Sequence, residues 1–523
     1  MSSLDQDPVD DVHSSSDDSM LLEKELHQST REDHLTRLRK IVSRRIDQDA
    51  FLGAFVHYSL MVLKFLVPSF LQHLLDRRRH RYPEEGTAPS STIVCLDGLR
   101  GVACLIVFNF HFLYPYSKTI FHGYGAEVSE VADRPNYFHY HQLPIISLLY
   151  RGRAMVAIFF AISGYVLSRK FLKLVNAHNH APAYKALSSA VFRRGFRLFL
   201  PVTAGNLLVA LAIRLGWYDG TEAVLRGDVT LPGDTEPRDW ITGRGDLHPV
   251  NMGSLSKQLV HCYHHWAEWI NPWRWDHVYN EYDPHAWTIP LEFRSSMILF
   301  LALVGTAGLK EKWRLGAIVV LFTYCLKALR WEVALFLGGV VLAQIDLMLG
   351  TFEALPSRSV LGRIAQWILC LFGFYFLSFP DLVGEVTPGV RYLSSITPEG
   401  YDWLYLFWHT IGAVILVHSV TNVLFLRRLF ERPTCLYLGK ISFAFYLVHG
   451  PILTALGLTL MPRIWRITGY GGGYGSNAGF VTGLALGWCL LLCFSVWLGD
   501  IFWRLVDVPC TKLARQIELW HSG

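Results

Sequence analysis

Long apolar segments separated by short polar ones occupy most of this chain. Many of the apolar segments run for roughly 20 residues, enough to cross about 30 Å of hydrocarbon as an α-helix. The pattern predicts an all-α fold: a polytopic transmembrane helix bundle of about ten spans. The spans are expected to begin near Leu99, Ala154, Arg197, Trp287, Leu315, Val333, Ile364, Trp403, Leu436 and Phe480.

One further apolar segment, residues 51–75, precedes these spans and differs from them. It contains Lys64 and is flanked by basic runs on both sides, RLRKIVSRR and DRRRHR. A full crossing would place one of these runs outside the cytosol, against the positive-inside rule. We therefore expect an N-terminal amphipathic or re-entrant helix rather than a span.

The distribution of charge predicts the topology. Dense basic sequences, including KEKWR, SRSVLGR and LRRLFER, fall in alternate connections, whereas the long loop at about Trp217–Ala286 is rich in acids and aromatics. The positive-inside rule then places both termini in the cytosol and the long loop on the lumenal or exterior side. We expect an integral multi-pass protein of the endoplasmic reticulum, another endomembrane or the plasma membrane.

The chain is accordingly divided into four parts. Residues 1–50 form an acidic, then basic, tail without the apolar core of a cleavable signal peptide, and are expected to be disordered in the cytosol. Residues 51–86 comprise the interfacial helix and a basic linker. Residues 87–511 form the transmembrane domain, and residues 512–523 a short cytosolic tail.

Composition supports a membrane class of protein. Hydrophobic residues make up 51% of the chain and charged residues only 17%, and the mean hydropathy is +0.27. The net charge of +5 comes from Lys and Arg clusters at the ends of apolar runs. These clusters indicate topology, so the expected partner is the lipid bilayer and not a nucleic acid.

The first span, LDGLRGVACLIVFNFHF, carries two candidate site residues. Arg100 and His111 are eleven residues apart, which places them about 20° apart around the helix and roughly 17 Å apart along it. An ionisable group inside a span is costly unless it faces a cavity or a partner. We therefore interpret His111, in the outer half of the span, as a functional residue.

Two more candidates lie near the outer boundary of the predicted bundle. Glu292, in HAWTIPLEFRSSM, is an acid within the fourth span that could pair with Arg294, Arg153 or His111. Arg153, at the outer end of the second span, runs against the positive-inside trend. Such an exception is typical of a substrate site or a carboxylate partner.

The sequence FRRGFRLFLP places three arginines at the cytosolic end of the third span. A topological cluster would explain them, but Arg194 and Arg197, with Arg193 beside them, could also grip phosphates by fork-like hydrogen bonds. Two other histidine features suit structural roles. His449 near Pro451 is expected to pack and cap its span, and HCYHHW to form an interfacial helix, so no metal site is predicted.

Five motifs in order make the sequence resemble the acyltransferase 3 family of integral membrane O-acyltransferases, most closely its fungal members. The motifs are LDGLRG with His111, FFAISGYVL at 159–167, RRGFR with Pro201, WTIPLE at 287–292 and LGKISFAFYLVHGP at 438–451. The resemblance implies transfer of an acyl group, often acetyl, from cytosolic acyl-CoA to a hydroxylated acceptor. It also implies that Arg100 and His111 are paired essential residues.

We expect Arg193, Arg194, Arg197 and Arg100 to hold the CoA phosphates, His111 to act as general base, and Glu292 to orient it. Whether the acyl group passes directly to the acceptor or through an acyl-His111 intermediate stays open. So do two other classes of protein, a proton-coupled transporter that uses His111 and Glu292 as a relay, and a non-catalytic membrane scaffold.

Overall fold

The computed structural model describes residues 56–75, 94–126, 138–229, 231, 241, 248–275, 278–350, 359–470 and 476–521. Within these ranges the ordered elements are helices, with one isolated bridge between Asn280 and Asp283 and no β-strand. The all-α prediction is confirmed. The predicted disordered tail, residues 1–50, lies outside the described residues.

The chain divides into two compact units, Met1–Arg79 and His80–Gly523. The first contains α1 (Val56–Leu66) and α2 (Ser69–Leu75). Pro68 separates them, since a proline lacks the N–H that a continuous helix requires. Neither helix is long enough to cross the hydrocarbon alone, and the interfacial or re-entrant arrangement stays a prediction.

The second unit contains the remaining helices. In chain order they are α3 (Val94–Leu113), α4 (Gly152–Asn176), α5 (His180–Arg214), α6 (Asp219–Arg226), α7 (Leu255–Trp269), α8 (Thr288–Thr306), α9 (Glu311–Lys327), α10 (Trp331–Leu349), α11 (Val360–Leu377), α12 (Arg391–Ser395), α13 (Tyr405–Asn422), α14 (Leu424–Phe430), α15 (Pro433–Ile452), α16 (Leu458–Thr468), α17 (Asn477–Phe502) and α18 (Val508–His521).

Each of the ten predicted spans coincides with a helix, but not every helix is long enough to cross a membrane. Within the described ranges eight helical segments have the necessary length and apolar composition, or nine if α13 and α14, bent by 92°, form one span. The helix α9 has 17 residues and is roughly 25 Å long. Residues 512–521, predicted as a tail, belong to α18.

Glycines allow the central helices to approach closely. A methyl group added to Gly101 of α3 would meet the backbone at Gly439 of α15, and one on Gly164 of α4 would meet the backbone of Phe336 in α10. Small residues are how membrane helices bring their backbones together. As a result, the LDGLRG and LGKIS motifs lie side by side, and Arg100 and Lys440 line one cavity.

Candidate functional site

A basic cavity lies between α3, α4, α5, α8 and α15. It has a volume of about 280 Å³. Its lining includes four basic side chains, two acidic ones and several apolar ones: Arg100, Arg194, Arg197, Lys440, Glu292, Asp507, Phe159, Phe160 and Phe443. The excess of positive charge beside aromatic surface suits a ligand with both anionic and apolar parts.

Glu292 lies in the wall of this cavity and is bound to α5. Arg194 Nη2 donates to Glu292 Oε1 at 2.6 Å, and Ser163 Oγ donates to the same oxygen at 3.1 Å. The sequence suggested Arg294, Arg153 or His111 as the partner of Glu292. In the structure Glu292 binds Arg194 and Ser163 instead. Arg294 is buried instead against Glu332 of α10, with a 3.1 Å ion pair.

Only two of the three clustered arginines line the cavity. Arg194 and Arg197 do, whereas Arg193 turns to the other side of α5 and pairs with Glu518 of α18 at 3.1 Å. The reason is helical geometry, because adjacent residues on a helix point about 100° apart. The expected participation of Arg193 in donor binding therefore has no support from its position.

Three histidines from three elements meet around the outer end of α3. His285 Nε2 lies 2.9 Å from His111 Nδ1 and makes a hydrogen bond with it. The ring of His449, from α15, has its centre 4.9 Å from that of His285 and 5.3 Å from that of His111. His285 and His449 are buried and His111 is partly exposed.

Asp283 lies near the other ring nitrogen of His285. Asp283 Oδ1 lies 3.6 Å from His285 Nδ1, and both residues are buried. Burial raises the pKa of Asp283 above its usual value, although the neighbouring His285 opposes this shift. Asp283, His285 and His111 thus form a line of one carboxyl and two imidazoles, the order in which a carboxylate orients a catalytic base.

Gly450 makes room for this line. A methyl group there would meet Nδ1 of the His285 ring. The preceding residue, His449, donates from Nδ1 to the carbonyl of Tyr446 at 2.6 Å. The HGP motif of α15, expected to pack and cap its span, therefore shapes the histidine cluster.

Tyr446 connects the basic cavity with the histidines. It lines the cavity together with Thr288, and the two hydroxyls lie 2.9 Å apart. The Tyr446 hydroxyl also donates to the carbonyl of His285. A single side chain, Tyr446, therefore connects the basic cavity with His285 and so with the His111–His285 pair.

Arg153 lies in an aromatic setting at the start of α4. It donates to the hydroxyl of Tyr405 at 3.1 Å, approaches Asp381 at 4.0 Å and lies over the ring of Trp403. Its neighbour Arg151 is fully buried and donates to backbone carbonyls, which is a structural role. Arg153 does have the expected carboxylate partner, but its place in substrate binding stays a prediction.

Sequence reasoning did not find Asp283, His285 or Lys440, and it gave His449 another role. A signal for the first two was present, since DPH stands directly before the fourth span. An acid and a histidine two residues apart at a membrane boundary are what a positioned base requires. Lys440 was part of a motif but was not interpreted by itself.

The histidines could also hold a metal ion, since their ligand atoms lie within 4.8 Å of one another. His111 and His285 also make the 2.9 Å hydrogen bond with each other.

Comparison with known proteins agrees with this geometry. An acyltransferase domain model, that of the acyltransferase 3 family, matches residues 93–504. The O-acetyltransferase PaAT-1 of Phomopsis amygdali is 29% identical over 480 residues, covering 87% of this chain and 88% of the relative. Acyltransferase R4 of a Phoma species is 25% identical, covering 82% and 96%.

A third relative, acyltransferase clz18 of Cochliobolus lunatus, is 26% identical over 447 residues and covers 80% of this chain and 94% of its own. No solved structure matches the chain. The domain match includes all three clustered histidines and every residue named in the lining of the basic cavity except Asp507, and the relatives are fungal acyltransferases. The chain therefore belongs to the acyltransferase 3 family and is an integral membrane acyltransferase.

Proposed function

We propose that this enzyme transfers an acyl group, acetyl in the first instance, from acyl-CoA to a hydroxyl of a small-molecule, lipid or glycan acceptor, with His111 as general base. The observation that carries the proposal is the 2.9 Å contact between His285 Nε2 and His111 Nδ1, with Asp283 behind it. A base held by a second group in this way is typical of acyl transfer to a hydroxyl.

The basic cavity is the proposed donor site. Arg100, Arg194, Arg197 and Lys440 offer cations for the CoA phosphates, while Phe159 and its aromatic neighbours suit the apolar part of the donor. Arg100 and His111 are separated by eleven residues of α3, or about 17 Å. An extended pantetheine arm is of comparable length, so the thioester can reach the histidines.

The proposed role of His111 as a base requires one particular arrangement of protons on the two imidazoles. For Nε2 to accept a proton, Nδ1 must carry one and donate it to His285 Nε2. His285 then carries its proton on Nδ1, which faces Asp283. His111 Nε2 makes no hydrogen bond with any residue that the structure describes, which leaves it available to the acceptor.

The reaction follows from this arrangement. His111 Nε2 takes the proton from the acceptor hydroxyl as the oxygen attacks the thioester carbonyl. The tetrahedral intermediate collapses, the carbon–sulfur bond breaks, and the His111 imidazolium returns the proton to the departing CoA thiolate. His285 and the Asp283 carboxylate stabilise the transient positive charge on His111.

Glu292 receives a different role from the one expected. Because its carboxylate accepts from Arg194 and Ser163, we assign it to positioning Arg194 in the donor site. Asp283 takes over the orienting role. The relay of a proton-coupled transporter through His111 and Glu292 gains no support from these contacts.

The charge pattern supports a cytosolic opening for the basic cavity, with both termini on that side. The donor would then enter from the cytosol and the acceptor from the side of the clustered histidines, and the two would meet at His111. Either an endomembrane or the plasma membrane accommodates this orientation.

The test is an assay of purified protein in lipid nanodiscs with labelled acetyl-CoA and a fungal lipid and metabolite extract. We expect release of free CoA together with a labelled O-acetyl product identified by mass, and loss of both in His111→Ala. His180→Ala, a change at an exposed histidine, is the matched control. A folded His111→Ala protein with full transfer activity would contradict the proposal.

The same preparation separates the two routes for the acyl group. If His111 is itself acylated, incubation with labelled acetyl-CoA without acceptor will leave label on the wild type but not on His111→Ala. Direct transfer predicts no covalent label on either protein.

A further inference from the structure

A second group of potential metal ligands lies outside the proposed reaction site. His261 and His265 are one turn apart on α7, and their Nε2 atoms are 3.3 Å apart. Glu281, in the segment before α8, places Oε2 3.6 Å from His265 Nε2. All three side chains are partly buried, and their ligand atoms lie within 4.8 Å of one another.

These distances match the edges of a metal tetrahedron. With Zn–N bonds of about 2.0–2.1 Å, two nitrogens on a tetrahedral zinc ion are separated by roughly 3.3 Å. The His261 and His265 nitrogens have this separation, and the Glu281 oxygen lies 3.6 Å from His265 Nε2. Two histidines and a glutamate are also a ligand set that zinc uses in proteins.

The surroundings fix the free nitrogen of His261. Its Nδ1 donates to the Tyr282 hydroxyl at 3.0 Å. That hydroxyl in turn donates to the carbonyl of Gln258 at 3.2 Å and accepts from the Gln258 side chain at 2.9 Å. The proton of His261 is therefore on Nδ1, and Nε2 presents a lone pair to the site. Such outer contacts are typical of metal-binding histidines.

The tautomer of His261 also suits a ligand, because a proton on Nδ1 leaves Nε2 with a free lone pair. A neutral imidazole is the form that binds metals. The carboxylate of Glu281 supplies the negative charge that a divalent cation requires.

The helix that carries the two histidines is held firmly. Trp266 Nε1 donates to Thr203 of α5 at 2.9 Å, and Trp269 Nε1 donates to the carbonyl of Ala286 at 3.1 Å. Cys262 is buried against the same part of α5. A site whose ligands are fixed in advance loses less entropy when it binds.

We propose that His261, His265 and Glu281 form a binding site for a divalent transition-metal ion, zinc in the first instance, with water as the remaining ligand. This replaces the sequence-based interpretation of HCYHHW as an interfacial helix without a metal. The sequence offered only histidines on one helix, and folding supplies the missing carboxylate. His264, between them in sequence, is exposed and is not part of the group.

The site joins α7 to the segment that positions the proposed base. Glu281 precedes Asp283 and His285 by two and four residues, and Tyr282 between them is buried. A metal ion that ties Glu281 to α7 would therefore hold Asp283 and His285 in place. This consequence rests on the proposed function, whereas metal binding itself does not.

The experiment measures metal binding first. Full-length protein without a polyhistidine tag, in nanodiscs and stripped with a chelator, is titrated with Zn²⁺ by calorimetry, and bound zinc is determined by elemental analysis. We expect one tightly bound zinc per chain in the wild type and in His264→Ala. His265→Ala and Glu281→Gln should weaken binding at least a hundredfold.

A further variant separates the two histidine groups. His449→Ala removes a ligand from the other cluster and should still bind one zinc. Loss of zinc in His449→Ala with retention in His265→Ala would overturn the proposal, as would a wild type that binds no zinc. In that case the 3.3 Å contact is a simple hydrogen bond between two imidazoles. Equal melting temperatures of metal-free Glu281→Gln and wild type exclude misfolding as the cause of lost binding.

Activity is the second readout and can fail independently. If the metal positions Asp283 and His285, removing it will lower kcat several-fold with little change in KM for the donor, and zinc will restore it. If the protein binds zinc but its transfer activity does not depend on zinc, the metal site is supported and its positioning role is refuted. Zinc binding by His111→Ala, with no transfer, would show that the two proposals stand separately.

Discussion

His285 is hydrogen-bonded through Nε2 to His111 Nδ1 at 2.9 Å, and the two rings are nearly perpendicular. The contact joins the first span to the residues directly before the fourth, 174 positions apart. It gives His111 a defined orientation and leads toward Asp283.

Replacing His285 should affect the chemical step more than donor binding. In His285→Ala, His111 loses the partner that fixes its tautomer, so we expect kcat to fall about 10²–10⁴-fold and KM for acyl-CoA to change by less than about threefold. Steady-state kinetics in nanodiscs provide the measurement, with His180→Ala as control. A normal kcat in His285→Ala would remove His285 from the mechanism.

Asp283→Asn should separate stability from activity. Because burial raises the pKa of Asp283, the folded state binds this proton more tightly than the unfolded chain, and ionisation costs stability at neutral pH. That cost disappears as the pH falls through the raised pKa. We therefore expect Asp283→Asn to melt no lower than wild type at pH 7, with the difference shrinking at acid pH.

The same variant should lose at least tenfold in kcat, because a neutral amide cannot balance the charge on the imidazoles. For the wild type, activity should fall with decreasing pH as Asp283 takes up its proton. Thermal melting and initial rates measured across one pH series test both expectations. A destabilised but fully active Asp283→Asn would contradict them.

The neighbouring arginines of α5 should differ sharply. Arg194 lines the basic cavity and binds Glu292, whereas Arg193 binds Glu518 outside it. Arg194→Gln should raise KM for acyl-CoA tenfold or more, the loss of about 1.4 kcal/mol or more of binding, and Arg193→Gln should change it less than twofold. Equal effects in the two variants would refute the assignment of the donor site.

Gly450 should tolerate no side chain. In Gly450→Ala the new methyl group would meet the His285 ring, so the ring must move and the hydrogen bond to His111 must lengthen. We expect a loss of at least tenfold in kcat. Gly305→Ala, where a methyl group meets nothing within 4 Å, is the matched control and should leave kcat unchanged.

The Arg294–Glu332 ion pair should matter for stability alone. Both side chains are almost fully buried, at 2% and 4% exposure, and their contact is 3.1 Å. Arg294→Gln leaves a buried carboxylate without its cation, which typically costs about 3–5 kcal/mol. Chemical unfolding should show this loss, and the double variant Arg294→Gln/Glu332→Gln should recover part of it. Full stability of the single variant would contradict this role.

The sequence determined the helical membrane class and the positions of the helices, and it singled out His111, Arg194 and Glu292 as candidates for the site. Its signals were local: the length of apolar segments, the cost of an ionisable group such as His111 inside a span, and short motifs in a fixed order. These effects act within one helix or between a helix and its solvent. They can therefore be evaluated without knowing which helices are neighbours.

Only the tertiary structure decided which side chains pair with one another. Glu292 was expected at His111 but binds Arg194, and Arg294 binds Glu332. The direction of a side chain depends on the rotation of its helix and on which neighbours a glycine allows to approach, as Gly450 does for His285. Glu281 gains its significance in the same way, since it lies 3.6 Å from His265, a histidine that only folding brings near.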